Sequence, residues 1–365
     1  MQSVIPVILC GGAGSRLWPV SRQQHSKPFL RLPDGDTLMA KTLKRALGSG
    51  AVEQLIIVTN RDHYFTVKDE VTRALADHPE LSVITVHYVL EPMARNTGAA
   101  IVAAALHVQS VVAEDALLVV MPADHLITDE VAFQRALRVA TPLAQRGQLV
   151  TFGITPTRPE TGFGYIQAEV DQTTEHAQVK RFVEKPNLAT AQAYLASGDY
   201  LWNAGIFCFA AQSLLEEVSQ HSPALLENTT AAYVQGQLAR LNVGLQVELD
   251  PKLFTDVPNL SIDYAVLEHS RAVSVVPCDM DWCDIGSWSA LSELFEGDQE
   301  GNRTHGTVHT QSSRDCIIYA EQGLVTTLGV DNLIIVQTPD AVLVTHKHSE
   351  QAIGLLAKSL DDQYT

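Results

Sequence analysis

The sequence predicts an α/β protein with a mixed, mainly parallel central sheet, followed by a small C-terminal β-rich domain. Three observations carry that expectation. Short runs of Val, Ile and Leu alternate with longer segments of helical period as far as Arg146. Those runs are continuously apolar rather than alternating, as in strands buried on both faces. After Gly306 turn residues recur roughly every 8 to 12 positions, the spacing of short strands in a small sandwich or solenoid.

Val4 to Leu9 reads as the first strand, ended by a glycine turn. Thr37 to Leu47 keeps helical spacing through Leu38, Thr42, Leu43 and Ala46, and Leu55 to Val58 is the next strand. Asp62 to Ala76 reads as helix, Ser82 to Leu90 as strand and Thr97 to Val112 as an Ala-rich helix. Ala116 to Met121 follows as strand and Glu130 to Arg146 as helix. Beyond them the strand candidates Leu149 to Ile154, Tyr165 to Val170, Val179 to Glu184 and Gly205 to Phe209 crowd together with fewer helices between. A helical stretch then spans about Leu225 to Leu241. The polar run Glu296 to Asn302 marks a boundary between a domain at 1–296 and another at 303–365. In the second, Gly306–His309, Cys316–Tyr319, Leu324–Thr327, Asn332–Val336 and Ala341–Val344 read as strands, and Ser349 to Leu360 as a final amphipathic helix.

Composition narrows the function. Lys and Arg total 25 against 42 Asp and Glu, a net charge of −17, while 46% of residues are hydrophobic. Such a chain has material for a core but no general basic face, so neither nucleic acid nor an anionic membrane is an expected partner. The global field is screened beyond about 8 Å at physiological salt, so a phosphate site needs only its own local cations. Five scattered cysteines without a C-x-x-C pair read as free thiols of a reducing compartment. Met1 to Leu9 lacks a basic n-region, and no apolar run approaches the 18 or more residues of a spanning helix, so the expected location is cytoplasmic.

After the first strand comes Leu9-Cys10-Gly11-Gly12-Ala13-Gly14-Ser15-Arg16-Leu17-Trp18-Pro19. Its glycines allow close backbone approach to a phosphate, with N–H groups forming an anion nest, and Arg16 offers a bidentate contact. No Gly-Lys-Ser/Thr follows, which excludes a Walker A loop, and Leu17 stands where a dinucleotide fingerprint needs its third glycine. A tight turn explains the glycines alone and a surface position explains Lys27 alone. Their combination, Gly-Gly-x-Gly-Ser-Arg-Leu with Lys27-Pro28 shortly after, is more specific than either half.

This stretch resembles the signature of sugar-phosphate nucleotidyltransferases, and Arg16-Leu17-Trp18-Pro19-Val20-Ser21-Arg22 narrows the resemblance to bacterial mannose-1-phosphate guanylyltransferases. It continues, in family order, through Glu91–Thr97, Met121–His125, Pro159–Ile166, Phe182–Pro186, Trp202–Phe207, Ser261–Ala265 and Asp284–Trp288. The resemblance implies a Rossmann-like nucleotidyltransferase domain and a short left-handed β-helix that often helps form homodimers. The implied reaction converts GTP and α-D-mannose 1-phosphate to GDP-mannose and pyrophosphate with Mg²⁺, for polysaccharide, glycan or deoxysugar synthesis.

Transfer of a nucleotidyl group gathers negative oxygens, and Mg²⁺ favours one or two carboxylates plus substrate phosphates. The resemblance assigns Asp124 and Asp284 to the metal. A turn or cap role is open to Asp124, and an N-cap role to Asp284 before Gly286-Ser287, with Asp279 and Asp281 close by. Arg16, Lys27, Gly11, Gly12, Gly14 and Ser15 are implied at the triphosphate. Glu184 offers an acceptor to sugar hydroxyls, Lys185 a charge to the sugar phosphate, Asn203 an amide, and Gly164 close backbone approach; a strand end and a β-turn are the structural alternatives. Arg95 and Asn96 are implied, with the glycine backbone, at guanine and ribose, Asn96 also being a candidate helix cap. Lys27-Pro28-Phe29 departs from the Lys-Gln-Phe frequent in close relatives, and no histidine cluster of an isomerase domain is present, so no isomerase activity is expected. The rival readings are another base or sugar on the same fold, and a nucleotide-sugar-binding regulatory subunit without catalysis.

Overall fold

The structure is a computed structural model that describes residues 4–12, 14–23, 25–49, 52–76, 84–112, 116–169, 175–241, 244–361 and 364. In space the chain groups into two compact units. One comprises residues 1–11, 42–123 and 127–282, the other 12–41, 124–126 and 283–365. This grouping and a linear division at 296–303 differ in where they assign 12–41, 124–126 and 283–302.

The first unit is organised by an eleven-stranded mixed sheet. Strands β1 (Val4–Cys10), β2 (Gln54–Asn60), β3 (Thr85–Glu91) and β4 (Leu117–Pro122) lie in the order β3-β2-β1-β4 and are mutually parallel. Their continuous apolar sequence matches continuous burial: Val7, Ile8, Leu55, Ile56, Ile57, Leu118, Val119 and Val120 have no exposed surface. Helices α1 (Leu38–Leu47), α2 (Tyr64–Ala76), α3 (Asn96–Val111) and α4 (Glu130–Ala144) alternate with them along the chain. The unbroken Ala99–Ala105 run of α3 is buried on all sides, and small side chains let its neighbours close on it. Strand order reverses at β1 and β4, the place where doubly wound sheets carry ligands beyond their carboxyl ends. There Leu9 pairs with Pro122 and the Ala123 N–H donates to Leu9 O at 2.9 Å, so Gly11 and Ala123 leave the sheet as neighbours.

The remainder of the sheet supplies its antiparallel part. Strand Tyr200–Ala210 runs antiparallel to β4 and to Leu149–Ile154, and Val273–Pro277, Ala177–Glu184 and Gly164–Ala168 complete that side. Helices Leu188–Ser197 and Ala211–His221 fill a stretch expected to hold few. The expected helix Leu225–Leu241 is helical only over Pro223–Val234. Gln237–Arg240 is instead an exposed strand antiparallel to Leu245–Glu248. Periodicity cannot separate helix from strand over four exposed residues, and backbone pairing decides. Ser82, Val83 and Val170, at the ends of expected strands, lie outside the described residues.

The second unit has a five-stranded sheet in which Arg303–Gln311, Ile317–Leu328 and Leu333–Gln337 are parallel and Val342–His346 returns antiparallel. The two expected segments Cys316–Tyr319 and Leu324–Thr327 are thus one strand. Ile317, Tyr319, Ile334, Val336 and Leu343 share a core with Leu17, Trp18, Leu30, Leu32, Trp288 and Leu291. A 3₁₀ turn at Lys347–Ala352 and a short helix at Ile353–Lys358 follow. Among the described residues no helix is long and apolar enough to cross a membrane, and none of the five cysteines is in a disulfide.

Candidate functional site

In the second unit the glycine loop ends in a 3₁₀ turn, Ser15–Leu17, with Gly14 at φ +59° as its N-cap. A Cβ on Gly14 would stand 2.5 Å from Lys27 Cβ, so this position needs glycine for both conformation and space. A Cβ on Gly12, or on Gly11 at the end of β1 in the first unit, would meet nothing within 4 Å. Packing therefore does not demand those two glycines, but the φ of +91° at Gly12 favours glycine there, and both residues are exposed. Arg16 is exposed and Ser15 half-buried.

Lys27 opens a second 3₁₀ turn, Lys27–Phe29, and is buried. Its Nζ donates to Asp124 Oδ2 at 2.8 Å and also to the Asp284 carbonyl oxygen. One ammonium thus joins two residues that the chain brings from distant segments. Burial would raise the Asp124 carboxyl, but the charge and hydrogen bond of Lys27, with a smaller contribution from His125, hold it below the usual carboxylate range. Asp284 Oδ1 accepts from the Gly286 N–H at 3.1 Å, and a Cβ at residue 286 would meet Asp284 Oδ2 at 2.4 Å. Between them Ile285, buried and β-branched, sits at φ +45°. The N-cap of the following turn is Ser287, whose side chain accepts from the Ala290 N–H, so Asp284 is released from that duty.

A second cluster lies in the first unit. Glu184 Oε1 pairs with Lys185 Nζ at 2.9 Å, the glutamate side chain 9% and the lysine side chain 55% exposed. A Cβ at Gly164 would come within 2.6 Å of Glu184 Oε2 and 3.2 Å of Asn203 Cβ, so strand Gly164–Ala168 gains its approach to both by lacking one. Asn203 Nδ2 donates to Asp263 Oδ1 at 3.0 Å, while its Oδ1 accepts from Thr151 Oγ1 at 2.8 Å and from the Gly205 N–H at 3.2 Å. Burial, then the neighbouring Glu184 charge, push the Asp263 carboxyl up to about 7. Sequence reasoning gave Asp263 no role; its motif, Ser261-Ile262-Asp263-Tyr264-Ala265, was visible, but its partners are remote in sequence.

Arg95, also of the first unit, is the N-cap of α3 and Asn96 its first residue; the Ile262 N–H, next to Asp263, donates to Thr97 Oγ1 at 3.0 Å. Asn96 adopts φ +64° and its Oδ1 accepts from the Thr97 N–H at 2.9 Å. Arg95 Nη2 donates to Thr255 O at 2.7 Å, and its buried Nε has no partner among the described residues. Lys185 has φ +47°. Asn96, Lys185 and Ile285 are three of seven described non-glycine residues with positive φ, a conformation costing roughly 1–3 kcal/mol and concentrated at ligand sites.

Asp124 and Asp284 offer hard oxygen donors to a cation, and Lys27 holds the Asp124 carboxyl below the usual carboxylate range. Among the described residues no three His, Cys, Asp or Glu side chains converge as a cage. Two carboxylates without a cage suit a cation that completes its shell with substrate oxygens.

Residues 5–301 match the nucleotidyl transferase family, and residues 308–360 match the MannoseP isomerase/GMP-like beta-helix domain. The alginate biosynthesis protein AlgA of Pseudomonas putida is 40% identical over 362 residues, 99% of this chain and 72% of that protein. A mannose-1-phosphate guanylyltransferase of Escherichia coli is 42% identical over 365 residues, 98% of this chain and 74% of that protein. Among solved structures, a Thermus thermophilus protein described as a mannose-1-phosphate geranyltransferase superposes with a TM-score of 0.82 at 31% identity, covering 98% of this chain and 99% of that one.

Proposed function

The chain belongs to the nucleotidyl transferase family, and from that premise we propose that it makes GDP-mannose and pyrophosphate from GTP and α-D-mannose 1-phosphate. The observation that carries the reading is the Lys27 ammonium held against both Asp124 and Asp284. A phosphate monoester is already an anionic nucleophile, so the reaction needs positioning and charge neutralisation rather than a general base. A sugar-phosphate oxygen bonds to the α-phosphorus in line as the α–β phosphoanhydride bond breaks, its electrons leaving on pyrophosphate. The backbone of Gly11, Gly12, Gly14 and Ser15, with Arg16 and Lys27, binds the triphosphate and takes up charge on the leaving group. Asp124 and Asp284 would hold Mg²⁺, which would supply neutralisation of phosphate oxygens when bound. Glu184 accepts from mannose hydroxyls beside Asn203 and the Gly164 backbone, and Lys185 pairs with the sugar phosphate. Arg95 and Asn96 serve the base and ribose, where polar groups left unpaired would reject other bases. The sheet edge of the β-rich unit supports a homodimer, and five scattered cysteines without a C-x-x-C pair support a reducing, cytoplasmic setting.

Pyrophosphate release with Mg²⁺, crossing GTP, ATP, UTP and dTTP with mannose, glucose and N-acetylglucosamine 1-phosphates, tests the reading. Release confined to GTP with mannose 1-phosphate is expected; another productive pair overturns the substrate assignment, and GDP-mannose binding without release overturns catalysis. Asp284→Asn should lower turnover by a factor on the order of 10² or more with an unchanged circular dichroism melt. Near wild-type turnover would remove Asp284 from the metal site.

A further inference from the structure

The segment that follows the glycine loop is tied to the C-terminal part of its own unit by a set of directional contacts. The Arg22 guanidinium spans Asp340, with Nη1 donating to Oδ2 at 2.6 Å and Nη2 to Oδ1 at 2.7 Å. Arg22 Nε donates to Pro19 O at 2.8 Å, so the same planar group grips its own loop and the Asp340 turn together. That turn joins strands Leu333–Gln337 and Val342–His346, and its Thr338 Oγ1 donates to Asp340 Oδ1 at 3.1 Å, orienting the carboxylate. Nearby, Trp18 Nε1 donates to Tyr364 O at 2.7 Å and Trp288 Nε1 to Trp18 O at 3.2 Å. Gly354 faces Ser15 and Arg16, where a Cβ would lie 3.2 Å from Ser15 Oγ.

A bidentate arginine–carboxylate pair fixes direction as well as distance. Asp340 is half exposed and Arg22 15% exposed, so the pair adds little to global stability. Its geometry is better suited to holding the loop than to holding the fold together. We propose that Arg22 and Asp340 are positioning residues: the β-rich domain, through Asp340 and Arg22, sets the conformation in which the Gly14–Trp18 segment receives a nucleoside triphosphate. This inference rests on the proposed function for its ligand, but not for the clamp itself.

Two readouts on Asp340→Asn test it. Amide hydrogen exchange over residues 14–22 should quicken about tenfold while the melting temperature moves by no more than about 2 °C. The KM for GTP should rise about tenfold while the KM for mannose 1-phosphate stays within about twofold. Arg22→Lys, which keeps the charge but cannot span both carboxylate oxygens and Pro19 O, should give the same split, and Asp340→Glu should recover part of it. Unchanged exchange over 14–22, or an equal rise in both KM values, overturns the proposal. If the unaltered protein shows no turnover with these substrates, the functional reading fails, and the exchange measurement still decides the clamp.

Discussion

Burial and then the Glu184 charge raise the Asp263 carboxyl well above the usual carboxylate range, to about 7. Below that pH it is neutral beside Glu184; above it, a second negative charge appears next to the pair formed by Glu184 and Lys185. The sugar phosphate is itself an anion, so its KM should rise as pH increases through about 7. Asp263→Asn keeps an acceptor for Asn203 and removes the titration, and it should flatten that rise in KM measured between pH 6 and 8.5. An identical pH profile in the variant would separate Asp263 from the sugar phosphate. At this scale the sequence showed which residue types were present and not what they touch. Asp124 and Lys27 were both named, yet their 2.8 Å contact depends on packing that no local pattern encodes. The positive φ of Lys185 and Ile285 was equally hidden, since neither is a residue that favours it.

Helix α3 shows what an element adds. Its His107, fully buried, is hydrogen-bonded to His87 of β3 at 2.9 Å and to Tyr233 at 3.0 Å, and His87 continues to Gln54 of β2 at 2.8 Å. Burial, with a further push from His87, lowers His107 to about 4. The folded protein thus keeps this ring neutral, while the unfolded chain takes up a proton below its ordinary value of 6.5. The contribution is whole above pH 6.5 and is lost as pH falls toward 4, amounting to at most about 3 kcal/mol. Urea midpoints at pH 7.5, 6 and 5 should fall accordingly, and His107→Gln should shallow the fall; equal slopes would exclude His107 as its source. The element itself was legible, because an Ala-rich run with no polar face has few alternatives to a buried helix. Strands of β1 to β4 were legible for the same reason. The exposed strand Gln237–Arg240 was not, since its partner Leu245–Glu248, rather than its own residues, makes it a strand.

Across the whole molecule, strand Val342–His346 ends the five-stranded sheet and leaves Val342 and Val344 about 60% exposed, both on one face. An exposed apolar edge strand is uncommon unless something covers it, which favours a second copy of this chain. Light scattering should give a dimer mass, and replacing both valines by lysine should halve it; an unchanged mass would place any dimer elsewhere. The grouping in space was not legible, because residues 12–41 carry no compositional sign that they join 283–365. That grouping has a consequence for biosynthesis. Arg22 leaves the ribosome 318 residues before Asp340, and Trp18 leaves 346 residues before Tyr364. Strand β1 can find β2 early, but the loop beyond it stays untied until those later residues emerge. A nascent chain stalled before the β-rich domain therefore carries the signature residues without the contacts that hold them.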